Sequence, residues 1–162
     1  MKLFETLNTS GARYVVVGGL ASLLHGVGRT TVDVDIALDF ATDSATAAID
    51  ALTAGGYRPA VPVDVHELAN AKARGRWQRD NSMVVFSLWD SGNRQPTLDI
   101  LLDPVVPFPQ LLRDAVSMDL QGTKVPVVSI AHLIELKQHS GRAQDITDIE
   151  ALRRIQNQQG SV

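Results

Sequence analysis

Helices and strands alternate irregularly along the chain when its apolar and polar positions are read for period. A short helix is predicted over Lys2–Asn8, closed by Thr9-Ser10-Gly11, followed by a buried strand at Tyr14–Val17 and a helix at Leu20–His25. Alternation over Val32–Leu38 predicts a second strand. Val32, Val34, Ile36 and Leu38 fall on one face, and Asp33, Asp35 and Asp39 on the other. Thr42-Asp43-Ser44 reads as an N-cap cluster for a helix to Ala54, ended by Gly55-Gly56. A shorter helix is predicted over Asp64–Ala73, a strand over Met83–Trp89, a turn at Asp90–Asn93, and a strand around Asp99. Pro104, Pro107 and Pro109 mark a loop before a short helix at Gln110–Ala115. Val116–Val128 reads as a hairpin around Gln121-Gly122-Thr123. Ser129 caps a helix to His139, and Asp145–Ile155 forms a final one. The expected fold class is α+β, or mixed α/β: a small mixed sheet packed by helices.

Composition narrows this picture without redirecting it. The 162 residues suit a single domain spanning 1–162, and 44% hydrophobic with 20% charged residues is ordinary for a soluble globular protein. A net charge of −3 gives no global basic field, so any RNA substrate needs a local patch. The absence of cysteine excludes disulfides, zinc–thiolate sites and thiol nucleophiles. No secretory apolar segment opens the chain and no apolar run approaches a membrane span, so a cytoplasmic location without membrane contact is expected.

Candidate chemistry begins at Asp33 and Asp35. Two carboxylates on one strand face repel each other, and a hard divalent cation would turn that repulsion into binding. The pair reads as a magnesium site, against the plainer reading of a solvated strand face. Gly18-Gly19, at the predicted strand-to-helix turn, permits close backbone approach to an anion at the helix N-terminus. A turn that needs glycine for conformation alone is the competing explanation. The order strand, Gly-Gly, helix, Asp-x-Asp strand is more specific than either part, and suggests nucleotide chemistry.

A second constellation lies in the last two helices. Ile130, Leu133 and Ile134 define an apolar stripe, and Lys137 falls in its middle. An unpaired ammonium there is costly, so it must meet an anion or snorkel outward. In the next helix Asp145 lies between Ile149 and Leu152 on the apolar side, with Asp148 closer to the margin. Either Lys137 and Asp145 form a structural ion pair, with Asp145 also complementing the helix dipole, or Lys137 faces nucleotide phosphates and Asp145 orients it.

Gly18-Gly19, Ala21, His25-Gly26, Arg29, Thr31 and Asp33-Val34-Asp35-Ile36 together resemble the signature of the DNA polymerase beta nucleotidyltransferase superfamily. Within it the chain most resembles the nucleotidyltransferases of type IV toxin–antitoxin and abortive-infection systems. The resemblance implies a third carboxylate on a later strand, matched by Asp99. It also implies a C-terminal pattern matched by Lys137, Gly141-Arg142, Asp145 and Asp148. It runs from about Val15 to about Leu152, with the stretch Ala41–Trp89 matching only in outline.

The resemblance implies a nucleotidyltransferase-like core whose C-terminal helices close the nucleotide site. Its reaction is magnesium-dependent transfer of a nucleoside monophosphate from an NTP to an acceptor hydroxyl, with release of pyrophosphate. Asp33, Asp35 and Asp99 would be the catalytic and metal residues for two magnesium ions, and Asp99 would also accept the hydroxyl proton. Gly18, Gly19 and Ser22 would cradle the triphosphate, with Arg29, Lys137, Arg142 and Asp145 completing the nucleotide site. RNA or tRNA is the implied acceptor and a cognate antitoxin the implied partner. Transfer to a protein or small molecule, or a catalytically silent nucleotide-binding or partner-binding domain, stands as the alternative. On alternation alone Asp99 is an ordinary exposed acid, and Asp103 a turn residue before Pro104. His25 reads as structural before catalytic, and Arg74, Arg76 and Arg79 around Trp77 as a solvated loop before an RNA contact.

Overall fold

In the computed structural model, which describes residues 1–160 except the side chain of Thr42, seven helices surround one seven-stranded mixed sheet. In chain order the elements are α1 (Lys2–Ser10), β1 (Tyr14–Val17), α2 (Gly18–Leu24), β2 (Val34–Leu38), α3 (Thr42–Ala54) and β3 (Tyr57–Pro59). A 3-10 turn (Val65–Ala69) leads into α4 (Ala71–Asn81), β4 (Val85–Asp90), β5 (Leu98–Leu101) and α5 (Phe108–Arg113). The hairpin β6 (Val116–Leu120) and β7 (Thr123–Val127) precedes α6 (Ile130–Ser140) and α7 (Ala143–Gln159). Among the described residues no helix is long and apolar enough to cross a membrane.

The strands run in the order β3-β4-β5-β2-β1-β7-β6, with β2–β5 and β1–β7 parallel and the remaining neighbours antiparallel. Their alternation sorts two faces. Val34, Ile36, Leu98, Ile100, Phe86 and Leu88 share one and are buried; α4 packs there, its Trp77 ring stacked on Phe86 at 5.2 Å. Asp35, Asp99 and Ser87 share the other. The interior is one continuous apolar cluster reaching from Leu3 to Leu152.

Several boundaries differ from the sequence reading, each for a local reason. The second strand starts at Val34, whose N–H donates to the Thr97 carbonyl; Val32 is 82% exposed, so alternation overran the ladder. Asp39 leaves the acid face altogether: it pairs with Arg13 and accepts the Ala41 N–H at the start of α3. The N-cap there is Ala41, while Thr42, expected to cap, has a side chain outside the described residues. The helix expected over Asp64–Ala73 is the 3-10 turn, and Arg74–Arg79 belong to α4, capped by Asn70, rather than to a loop. The short strand β3 was not expected. The hairpin turn follows the reading: Gln121 and Gly122 both have positive φ, as a two-residue type I′ turn requires.

Candidate active site

The end of β1 bends into α2 through Gly18, at φ +63°, and Asp35 lies opposite Val17 in the neighbouring strand. A Cβ on Gly18 would sit 2.1 Å from Asp35 Oδ2, so glycine is what lets this carboxylate lie against the turn. The Gly19 N–H donates to Asp35. Asp99 stands beside Asp35 in register across the parallel β2–β5 pair, and on its other flank the Ser87 hydroxyl donates to Asp99 Oδ1 at 2.5 Å. The adjacency that sequence could not show is therefore present. Burial pushes the Asp35 carboxyl above the usual carboxylate range, and the charges of Asp99 and Asp33 add to it. The Gly19 N–H and Arg142 oppose them without cancelling the shift.

Asp33 lies just outside the strand that carries Asp35, near enough for its charge to act on that carboxyl. It occupies the exposed bend before β2, because pairing starts only at Val34. Among the described residues no three His, Cys, Asp or Glu side chains gather closely enough to hold a metal ion, so the expected three-acid cluster is not closed here. Asp35 and Asp99 nevertheless supply what a hard divalent cation requires: carboxylate oxygens side by side, partly buried, with repulsion that their protein neighbours do not fully offset.

The second constellation forms a chain of charges, buried at Lys137, Asp145 and Asp148, half-buried at Arg29 and exposed at Arg142. Lys137 is 4% exposed; its ammonium donates to Asp148 Oδ2 at 2.7 Å and Asp145 Oδ1 at 3.1 Å. Arg29 Nη1 donates to the same Asp148 oxygen at 2.5 Å, and Arg142 Nε to Asp145 Oδ2 at 3.1 Å. Burial works against the Asp145 charge, but hydrogen bonds from Lys137, Ser140 and Arg142 outweigh it and hold the carboxyl below its ordinary range. Asp148, expected nearer the margin, is as buried as Asp145, because Arg29 and Lys137 both converge on it. Lys137 therefore lies in the apolar stripe as predicted, with its charge met by two acids rather than by solvent.

The remaining candidates divide. Ser22, expected in the phosphate cradle, has no exposed surface, and its hydroxyl donates to the Gly18 carbonyl at 3.2 Å; it shapes the turn from within. Arg29 lies behind Gly19, whose added Cβ would stand 3.2 Å from the guanidinium. His25 Nε2 donates to the Val128 carbonyl at 2.7 Å, in keeping with its structural reading. Trp77 is core, and the Arg74 guanidinium lies over the Phe40 ring at 3.9 Å while donating to the Leu68 carbonyl. The basic-aromatic group thus offers no stacking platform, and α4 lies across the sheet from the acid pair.

A cleft of about 510 Å³ joins the two constellations. Gly18, Asp35 and Asp99 form its floor, and Lys137, His139, Arg142 and Asp145 one wall. Sequence reasoning weighed Asp103 only as a turn residue and missed the rest of the lining, Val84, Val85, Leu101, Pro104 and Val105; that Val84 is left exposed is a tertiary fact which no local pattern signals.

This arrangement has relatives among solved structures. A lincomycin-bound lincosamide antibiotic adenylyltransferase, LnuA, aligns at TM-score 0.61 and 18% identity, over 95% of this chain and 94% of its own. ANT(2")-Ia in complex with adenylyl-2"-tobramycin gives 0.58 and 12%, over 99% and 92%. A Thermotoga maritima protein assigned as a nucleotidyltransferase gives 0.55 and 19%, over 97% and 89%. At these identities the likeness is one of fold. No curated protein is significantly similar in sequence. The family described as "Nucleotidyl transferase AbiEii toxin, Type IV TA system" matches residues 3–160, nearly the whole chain. The chain belongs to that family and is a nucleotidyltransferase.

Proposed function

We propose that the cleft binds an NTP with magnesium and transfers its nucleoside monophosphate to an acceptor hydroxyl, releasing pyrophosphate. The observation carrying this reading is the register of Asp35 and Asp99 beside the Gly18 turn. Asp35 and Asp99, with Asp33 at the rim, would hold the magnesium. Bound there, it would neutralise phosphate charge and polarise the acceptor hydroxyl.

The chain's own groups account for the rest. Gly18 leaves room for phosphate oxygens at the turn. Lys137 and Arg142 supply positive charge on the adjoining wall, held in place by Asp145 and Asp148. The acceptor oxygen bonds to the α-phosphorus while the bond to the bridging oxygen of the β-phosphate breaks, and pyrophosphate leaves with that electron pair. Asp99 Oδ2, left free by the Ser87 hydrogen bond to Oδ1, takes the hydroxyl proton.

The type IV toxin family supports a cognate antitoxin as partner, and RNA or tRNA is the acceptor class carried over from the sequence resemblance. Consumption of NTP carries a cytoplasmic location with it, and the single apolar core supports one domain over 1–162. The test is to incubate the protein with magnesium, α-phosphate-labelled NTPs and total RNA, beside Asp35→Asn and Asp99→Asn. Magnesium-dependent label transfer by wild type alone is the expected result. Nucleotide binding without pyrophosphate release would favour a silent scaffold instead.

A further inference from the structure

The sheet face that carries the acids continues past them. On β4, Val85, Ser87 and Trp89 alternate onto that face, and Ser87 lies opposite Asp99. Val85 and Trp89 therefore stand on either side of the acid row. The cleft takes the Val85 side, with Lys137, His139 and Arg142 on one wall and the aliphatic wall of Val84, Val85, Leu101 and Val105 opposite. The other side is open. Trp89 is 47% exposed, whereas Trp77, the chain's other tryptophan, is buried. Among the described residues neither a second ring nor a cation stacks on the Trp89 indole.

The neighbours of that indole match one kind of ligand. Arg58 on β3 is its cross-strand partner and shares its face. The Arg58 side chain is exposed and meets no carboxylate among the described residues. Its Nη1 donates to the Thr53 and Tyr57 carbonyls, which leaves Nε and Nη2 for another acceptor. Trp89 is also the diagonal neighbour of Asp99, roughly 7–8 Å away and within reach of an aromatic side chain. An exposed indole offers a π-face to any base, and a guanidinium without an acid partner offers a fork to phosphate. Phosphoryl transfer places the attacking and leaving oxygens on opposite sides of the phosphorus. With the triphosphate held by the cations of the cleft, the acceptor approaches from the Trp89 side. This step rests on the functional reading given above.

We propose that Trp89 and Arg58 form the seat for the unpaired 3′-terminal nucleotide of an RNA acceptor, the terminus that bears free hydroxyls. The base stacks on the indole, the terminal hydroxyl reaches Asp99, and the phosphate on the 5′ side meets Arg58. Because β3 is an edge strand, the rest of the RNA leaves over the side of the sheet without crossing the fold. Stacking also supplies affinity that a net charge of −3 withholds.

The test uses the full chain with magnesium, a non-hydrolysable ATP analogue and short 5′-labelled single-stranded RNAs. Two RNAs differ only in the last nucleotide, complete in one and abasic in the other, so that every phosphate and terminal hydroxyl is kept. Wild type should bind the complete RNA about tenfold more tightly than the abasic one. Trp89→Ala should lose that advantage while holding the abasic RNA within about twofold of wild type. Trp89→Phe, which keeps a ring, should retain most of it. Arg58→Gln should weaken both RNAs and flatten their salt dependence by about one phosphate contact. With the analogue bound, no RNA binding or equal wild-type affinities for the two RNAs overturns the proposal. So does a Trp89→Ala loss that is the same for both, which is what a structural role would give. A loss of analogue affinity in Trp89→Ala as large as its loss of RNA affinity also overturns it, since the indole would then hold the nucleotide's own base. Failure of wild type to bind the analogue is a different result: it removes the functional reading itself, and this proposal with it.

Discussion

Asp35 and Asp99 stand in register on adjacent parallel strands, and the Gly18 turn lies against the first of them. Two like charges held this way store repulsion in the folded protein. Burial, then Asp99, raise the Asp35 carboxyl above its ordinary range. A carboxyl raised on folding favours the native state at low pH. That contribution is complete below the ordinary carboxylate value and is lost as pH rises through the folded value. Asp35→Asn should therefore raise Tm at pH 7, with the gain shrinking toward acid pH. It should also abolish transfer, by about 100-fold or more. Thermal melts across pH with parallel transfer assays check both, and a lower Tm at pH 7 would contradict the repulsion argument.

Magnesium should relieve the same repulsion. Titrating it into the wild type is expected to raise Tm and chelation to reverse the gain, whereas Asp35→Asn should respond weakly. Equal responses by the two proteins would place the cation elsewhere.

Gly18→Ala should cost about 1–2 kcal/mol from the left-handed backbone alone, and more because its Cβ overlaps the Asp35 carboxylate. Activity should fall further than stability does, since Asp35 must move. Denaturant midpoints and kcat measured on one preparation separate the two losses.

Asp148→Ala removes the shared acceptor of Arg29 and Lys137, leaving the half-buried Arg29 without its ion-pair partner and the buried Lys137 with Asp145 alone. A loss of about 3 kcal/mol is expected, read by denaturant unfolding. Asp145 has the opposite pH sign to Asp35. Its carboxyl is held below the ordinary value, so its stabilisation is present above that value and lost as pH falls through the folded one. The stability gap between wild type and Asp145→Asn should therefore close only in strong acid.

Trp77→Ala should destabilise by about 3–5 kcal/mol, as loss of a large buried ring does. Arg76→Glu/Arg79→Glu, exposed on α4, should leave kcat/KM within about twofold. A selective loss of RNA labelling in the arginine variant would return α4 to the acceptor site.

The pair Asp35–Asp99 was legible in part. Each acid could be placed on a strand from the alternation around it, but strand order is a long-range fact that no local pattern carries. Asp33 was misplaced because Val32-Asp33-Val34-Asp35 alternates without a break, whereas pairing stops where Thr97 supplies its last carbonyl. Lys137 was legible because a cation inside an apolar stripe demands a partner. That Asp148 shares this duty was not, since Arg29, 119 residues earlier, draws it inward. Arg74 to Arg79 looked like a solvated loop because their charges masked the helical spacing of Ala73 and Trp77, its two buried positions.

The Arg29–Asp148 contact also sets an order of events during synthesis. The turn, the acid pair and the aliphatic wall are all encoded before residue 106, yet the cationic wall and its anchors wait for Lys137 through Asp148. A growing chain on the ribosome can therefore complete the β2–β5 pairing long before Lys137 and Arg29 meet their shared acid. Until Asp148 emerges, the Arg29 guanidinium beside the Gly18-Gly19 turn lacks the carboxylate that holds it in the finished fold.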